Sequence, residues 1–126
     1  MSSKVLRVRV SPGALGDALQ GFIRAAESAQ AGRSVRPQFS VGFSEVGPML
    51  AAFTPKRWEL MGVLRESGPS SVRALAGKLG WDYKNVHTDV AALELWMAVE
   101  RLDDGRVWVP WDEISVDLQL PQAVAA

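Results

Sequence analysis

The chain has 126 residues, 48% of them hydrophobic, with 14 basic and 14 acidic side chains and no cysteine. This length suits one domain, or a small domain with an appended element. The lack of cysteine excludes disulfides, thiolate zinc sites and cysteine nucleophiles, and it fits a reducing compartment. The single histidine, His87, excludes a multi-histidine metal site.

The charge of the chain is unevenly distributed although its total is zero. Residues 1–53 and 54–88 each carry six basic and three acidic side chains, whereas residues 89–126 carry two basic and eight acidic ones. The neutral total argues against strong non-specific nucleic-acid binding. No apolar run is long enough to span a bilayer, and no signal-peptide segment is recognisable, so we expect a cytoplasmic protein.

The N-terminal part predicts a strand, a helix and a second strand. Apolar and polar residues alternate from Lys4 to Val10 and again from Gln38 to Ser44, which is typical of half-buried strands. Ser11-Pro12 provides an N-cap hydroxyl and a proline for the first position of a helix that extends to Gly32.

The middle of the chain predicts two helices. Gly47-Pro48 is expected to interrupt the chain before a short helix at Met49–Phe53. Thr54-Pro55 repeats the helix-start signal, for a helix that extends to Glu66.

Residues 70–95 predict two helices joined by a tight turn. The first begins with Ser70 as N-cap and ends at Gly80, since glycine tolerates the left-handed conformation of a helix end. The second has Asp82 as its N-cap and extends to Leu95. Its inward face is expected to comprise four apolar residues at helical spacing: Val86, Val90, Leu93 and Met97.

A hairpin is expected next, because extended segments at 98–102 and 106–109 flank Asp103-Asp104-Gly105. Two helices, a short turn and a hairpin predict a winged helix-turn-helix, a motif that places its second helix in the DNA major groove. The alternation at Ile114–Leu120 predicts one more strand.

The outer face of the second helix carries the candidate base contacts Lys84, Asn85, His87 and Thr88. These side chains can donate to or accept from base edges and phosphates. The methyl groups of Thr88 and of Ala91, on the same face, can contact a thymine methyl. Two interpretations without DNA binding are also possible. The face can be an ordinary solvated surface, and His87 can be a partly buried, hydrogen-bonded side chain.

Further candidate DNA contacts lie outside that face. Ser70, Ser71 and Arg73 open the first helix, whose N-terminus can bind phosphate. Tyr83 is expected to pack its ring at the core edge and direct its hydroxyl to water or a phosphate. Arg106, at the hairpin tip, can contact the DNA backbone or minor groove, although nearby carboxylates oppose this.

Nothing in the chain predicts an enzyme, a cofactor site or a metal site. The carboxylates Glu94, Glu100, Asp112 and Glu113 fall on elements of different direction and have no accompanying histidine. Glycine-rich phosphate loops and a nucleophile elbow are absent.

We therefore expect an α+β fold, in which a winged helix-turn-helix carries an accessory N-terminal strand-helix-strand element and a C-terminal strand. The expected divisions are residues 1–48, 49–112 and 113–126. A homodimer is expected through the N-terminal strand and helix, with five residues buried in its interface: Leu6, Val8, Leu15, Leu19 and Phe22. The alternative is a monomer whose accessory sheet packs on its own helices.

Several segments resemble prokaryotic winged helix-turn-helix regulators of the multiple-antibiotic-resistance-regulator type. The matching segments are Thr54–Leu60, Gly68-Pro69, Arg73–Ala76, Asp82–His87 and Asp104–Pro110. The resemblance covers residues 50–115 well and the N-terminal strand and helix loosely. Phe53 replaces the usual leucine, and Thr88 stands where a basic residue is common, which removes one phosphate contact.

The resemblance implies a transcriptional regulator that binds double-stranded DNA. Because such proteins are often encoded beside small toxin-like proteins, it also implies an antitoxin role with a toxin-like partner. A protein-interaction module that uses the same fold without DNA is the alternative, and the acidic C-terminal third favours it.

Overall fold

A computed structural model of the chain describes residues 4–11, 19–20, 22–24, 26–27, 30, 32 and 39–119. The chain divides into two compact units, one of residues 1–49 with 113–126 and the other of residues 50–112. Helices and strands are both present, so the fold is α+β. The C-terminal strand belongs to the first unit and does not stand as a segment of its own.

The first unit contains a three-stranded parallel sheet. Its strands are β1 (Val5–Val10), β2 (Phe39–Phe43) and β5 (Glu113–Leu118), in the order β2-β1-β5. The three strands expected from alternation are thereby confirmed. Between β1 and β2, residues 19, 20, 22–24, 26, 27 and 30 are helical. The expected helix start at Pro12 lies outside the described residues.

The sheet has one apolar and one polar face, because the side-chain period of a strand is two. Val8 lies level with Val41 of β2 and Val116 of β5 on the apolar face. Arg7 and Arg9 alternate with the apolar residues of β1 and lie exposed on the other face.

The burial of β1 overturns the expected dimer interface. Leu6 and Val8 are 0% exposed within one chain, so a second copy cannot cover them. Leu19 and Phe22 are exposed, at 55% and 74%, and Leu15 lies outside the described residues. The apolar side chains of the strand are buried within their own chain, so Leu19 and Phe22 are the described residues of that expected interface that remain accessible.

Helix α1 (Val46–Ala52) shows that the expected break at Gly47-Pro48 is wrong. Pro48 is the third residue of the helix. A proline in the first turn removes an N–H that has no partner within the helix, so it costs little there.

Helix α2 (Pro55–Ser67) begins as expected. The Thr54 hydroxyl accepts a hydrogen bond from the Arg57 backbone N–H at 3.2 Å. Its buried residues are Leu60 and Met61 and, one turn later, Leu64.

Helix α3 (Val72–Leu79) is capped by Ser71 and not by Ser70, because the Ser71 hydroxyl accepts from the Ala74 N–H at 3.0 Å. Ser70 is buried and has other bonds. It exchanges two backbone hydrogen bonds with Val107, and its hydroxyl donates to the Gly68 carbonyl.

Helix α4 (Tyr83–Leu95) follows the left-handed Gly80, with φ 70°, and the Asp82 carboxylate caps it by accepting from the Asn85 N–H. Both caps are confirmed. Met97 does not continue the inward face, since the helix ends at Leu95 and Met97 adopts a positive φ of 68°.

Strands β3 (Glu100–Arg101) and β4 (Val107–Trp108) form the expected antiparallel hairpin, with Gly105 at φ 90° in its turn. The Ser70–Val107 bridge pairs β4 with the residue that precedes α3. Beyond the hairpin, the indole N–H of Trp111 donates to the Met97 carbonyl at 2.8 Å.

Candidate nucleic-acid interface

The outer face of α4 is an exposed polar surface, as the helical spacing predicts. Four candidate contacts are exposed on it: Lys84, Asn85, His87 and Thr88. The inward residues Val86, Val90 and Leu93 are all 0% exposed. This division fixes the rotation of α4, because apolar side chains on one stripe hold the helix while the opposite stripe faces solvent.

His87 and Tyr83 lie together on the exposed surface, so neither occupies the core. Tyr83 is 41% exposed, so more than half of its surface is covered. Its ring centroid lies 6.0 Å from that of His87, and the Arg73 guanidinium lies over the Tyr83 ring at 4.9 Å. This cation–π contact connects the first turn of α3 to the first turn of α4.

Arg73 and Lys84 are exposed cations without a carboxylate partner within the described part of the chain. The hairpin differs, because its two arginines are both ion-paired. Compared with the hairpin, α3 and α4 therefore offer more positive charge to an anionic partner.

Arg106 is engaged by Asp104 at the hairpin turn. Its Nε lies 2.6 Å from the Asp104 carboxylate, and its backbone N–H donates to the other oxygen of that carboxylate at 3.0 Å. The backbone hydrogen bond, followed by the guanidinium, lowers the pKa of Asp104 from 3.8. The aspartate thus neutralises the cation that the sequence places at the tip.

Arg101 ties the end of α4 to the hairpin, a role that sequence reasoning missed. It lies 2.7 Å from a Glu94 carboxylate oxygen and also donates to the Gly105 carbonyl at 3.1 Å. The hydrogen bond with Glu94 is the main cause that raises the pKa of Arg101. The two residues stand on different elements, so no helical or strand period marks them as a pair.

Lys56 is a second contact that sequence reasoning missed. Its ammonium lies 5.2 Å from the ring centroid of Trp81, in the turn between α3 and α4. The contact connects the first turn of α2 to that turn, and a separation of 25 positions along the chain leaves no local signal for it.

The start of α3 contributes less than the sequence suggests. Ser71 is exposed, and its hydroxyl oxygen accepts from the Ala74 N–H, which leaves the hydroxyl proton for a phosphate. Ser70 is buried and does not lie with the exposed candidates. Of the three residues expected at this helix start, Arg73 is therefore the one with a free charge.

The described ranges contain neither a metal-binding cluster nor a membrane-spanning helix. These residues include no group of three or more His, Cys, Asp or Glu side chains that could hold a metal ion. Nor is any helix among them long and apolar enough to cross a membrane.

The family model HVO_A0114 matches residues 52–116, which is more than half of the chain. The match begins at the end of α1 and includes α2, α3, α4, the hairpin and the first part of β5. No curated protein and no solved structure matches the chain.

Proposed function

We propose that this chain, which belongs to the HVO_A0114 family, is a sequence-selective regulator that places α4 in the major groove of double-stranded DNA. The observation that carries the proposal is the exposed polar face at the start of α4, with Lys84 and Asn85 at its centre and Arg73 beside it.

The order of elements supports a winged helix-turn-helix. Helix α3, a turn at Gly80, helix α4 and the β3–β4 hairpin follow one another without insertion. The Ser70–Val107 bridge adds a short third strand position beside the hairpin. In this motif the second helix enters the major groove and its N-terminal residues contact base edges.

The chemistry of the exposed face matches what base edges and phosphates require. The amide of Asn85 can form two hydrogen bonds with adenine, and the ammonium of Lys84 can donate to guanine or phosphate. The guanidinium of Arg73 suits a phosphate oxygen. Arg106 makes no independent contribution in this proposal, since Asp104 already neutralises it.

A homodimer is the second part of the proposal. Two copies place two reading helices on successive half-sites of a two-fold DNA site. The corrected interface excludes Leu6 and Val8. It draws on the exposed apolar residues of the N-terminal helix, Leu19, Phe22 and Ile23, which a second copy would cover.

In vitro selection from a random duplex library, followed by gel-shift titration, tests the DNA-reading part. The wild-type chain is expected to enrich a defined sequence, and the double variant Lys84→Ala, Asn85→Ala is expected to lose its binding while it keeps the wild-type melting temperature. Arg65→Ala is the matched control, because it removes one exposed cation from the last turn of α2. Undiminished binding by the double variant contradicts the assignment.

A partner protein is the second candidate function, and the charge of the hairpin favours it. The hairpin carries three exposed carboxylates, Glu100, Asp103 and Asp104, and both of its arginines are in ion pairs. An antitoxin would bind a toxin-like protein through such a surface and its own operator through α4. In this second function, the double variant Glu100→Ala, Asp103→Ala should weaken binding of the toxin-like partner and leave DNA binding unchanged. The Lys84→Ala, Asn85→Ala variant should lose DNA binding and keep the partner, and the opposite pattern would contradict this function.

A further inference from the structure

The exposed stripe of α4 changes character along its length. Lys84, Thr88, Ala91 and Leu95 follow at intervals of three or four residues, so they lie on one line along the helix. All four are exposed, and Leu95 reaches 75%. The stripe therefore begins with a cation and continues with methyl-bearing side chains.

Thr88 is held in one orientation by its own helix. Its hydroxyl donates to the Lys84 carbonyl, four residues earlier, at 3.0 Å. This bond uses the only proton of the hydroxyl. Because Oγ1 is directed back along the helix, the methyl carbon occupies another staggered position of an exposed side chain.

We propose that Thr88 and Ala91 form a methyl-reading pair that makes this protein prefer thymine at the base pairs facing the middle of α4. The inference rests on the proposed function. The thymine methyl is the apolar feature of the major groove, and alanine and the threonine methyl are side chains that contact it. Lys84, at the N-terminal end of the same stripe, and Asn85, the next residue of the helix, then supply the polar contacts.

The occupied hydroxyl proton separates this proposal from readout in which Thr88 donates a hydrogen bond to a base. A threonine that donates to a base would have to give up its bond to the Lys84 carbonyl. A methyl contact keeps that bond, so it needs no rearrangement of α4. Burial of one methyl group contributes about fourfold in affinity, from roughly 0.8 kcal/mol per buried carbon.

The experiment compares two forms of the duplex that the wild-type chain selects, measured by fluorescence anisotropy. In one form the thymines are intact, and in the other uracil replaces thymine, so that only the methyl groups are removed. The wild-type chain is expected to bind the thymine duplex about fourfold or more tightly. Equal affinity for the two duplexes overturns the inference, while selective binding itself keeps the proposed function.

Two substitutions at one position identify which group is responsible. Thr88→Ser keeps the hydroxyl and its bond to the carbonyl but loses the methyl, and it should lower the thymine-to-uracil ratio towards one. Thr88→Val keeps a methyl and loses the hydroxyl, and it should retain the ratio. The reverse pattern overturns the inference and assigns the hydroxyl as the reader. Failure of the wild-type chain to select any duplex overturns the proposed function and this inference together.

Discussion

Replacement of Arg57 by alanine should destabilise the second unit more than any exposed charge change. The Arg57 Nε lies 3.1 Å from the Asp89 carboxylate of α4, and its Nη1 donates to the carbonyls of Ala51 and Ala52 at the end of α1. One guanidinium thus joins the start of α2 to two other helices. The side chains of the ion pair are only 16% and 20% exposed.

The substitution is expected to lower the free energy of unfolding by about 2–3 kcal/mol, because it removes the hydrogen bond to the Asp89 carboxylate and two hydrogen bonds to helix-end carbonyls. Arg65 and Asp112 provide a matched control, since their N–O distance is also 3.1 Å while their side chains are 49% and 52% exposed. Arg65→Ala should cost below about 0.5 kcal/mol, because exposed ion pairs are screened by water. The N–O distance is the same in the two pairs, so the difference in cost comes from burial and from the two carbonyl bonds that Arg57 also makes.

Tryptophan fluorescence during urea unfolding measures this loss in the right part of the molecule. All five tryptophans lie within residues 50–112: Trp58, Trp81, Trp96, Trp108 and Trp111. A double-mutant cycle with Asp89→Ala should give a coupling energy of about 1–2 kcal/mol. A cost for Arg57→Ala no larger than that for Arg65→Ala, or a coupling energy near zero, refutes the reasoning.

The remaining predictions concern backbone conformation and one carboxylate. Gly80→Ala should lower the free energy of unfolding by about 1 kcal/mol, since φ is 70° there and no atom lies within 4 Å of the added Cβ, so the cost is conformational. Gly77→Ala, three positions earlier inside α3, also places its Cβ where no atom lies within 4 Å, and it should raise the free energy of unfolding by about 1 kcal/mol. If urea titrations show that both substitutions change this free energy in the same direction, the left-handed end of α3 is contradicted. Met97→Gly should raise the free energy of unfolding by roughly 0.5 kcal/mol, because glycine adopts a positive φ without steric cost, and a drop in stability would argue against that backbone conformation. Because the pKa of Asp104 is lowered from 3.8, its bond to the Arg106 N–H should persist above that pH and be lost as the pH falls through the lowered value. The Arg106 amide resonance should therefore titrate with a midpoint below 3.8, and a midpoint at or above it would contradict the hydrogen bond.

The local elements of the fold could be predicted because their signals are local. Thr54-Pro55, Gly80 and Asp82 each act on the backbone within one helical turn, and the structure places each at the expected helix end. The inward stripe of α4 was predictable for the same reason, since its 3.6-residue period reports a buried face directly.

Most of the incorrect predictions concern residues whose conformation or burial depends on a partner far away in the sequence. Ser70 is a residue type that often caps helices. Its backbone instead forms a β-bridge with Val107, 37 positions later, and Ser71 is the N-cap of α3. The alternation in β1 does not reveal that this strand is central in its sheet, with both edges paired by β2 and β5, or that Leu6 and Val8 are already buried within one chain. Pro48 looked like a break, although a helix tolerates proline in its first turn.

The candidate site divides along the same line. The exposure of Lys84, Asn85, His87 and Thr88 follows from helical spacing and is confirmed. The sequence predicts that nearby carboxylates oppose contact of Arg106 with DNA, but it does not identify Asp104 as the partner of this arginine. The Arg73–Tyr83 contact and the Arg101–Glu94 pair depend on how separate elements meet, so spacing could not reveal them.

Backbone amide mapping of the chain during titration with its selected duplex tests groove reading by α4 most directly. The amide resonances of residues 83–88 and that of Arg73 should shift most. The dissociation constant fitted to these shifts should agree with the one measured by anisotropy. Those of Arg7 and Arg9, on the polar face of the sheet, should shift little. Shifts confined to the sheet or to residues 100–106, with α4 unchanged, would contradict recognition of DNA by this helix.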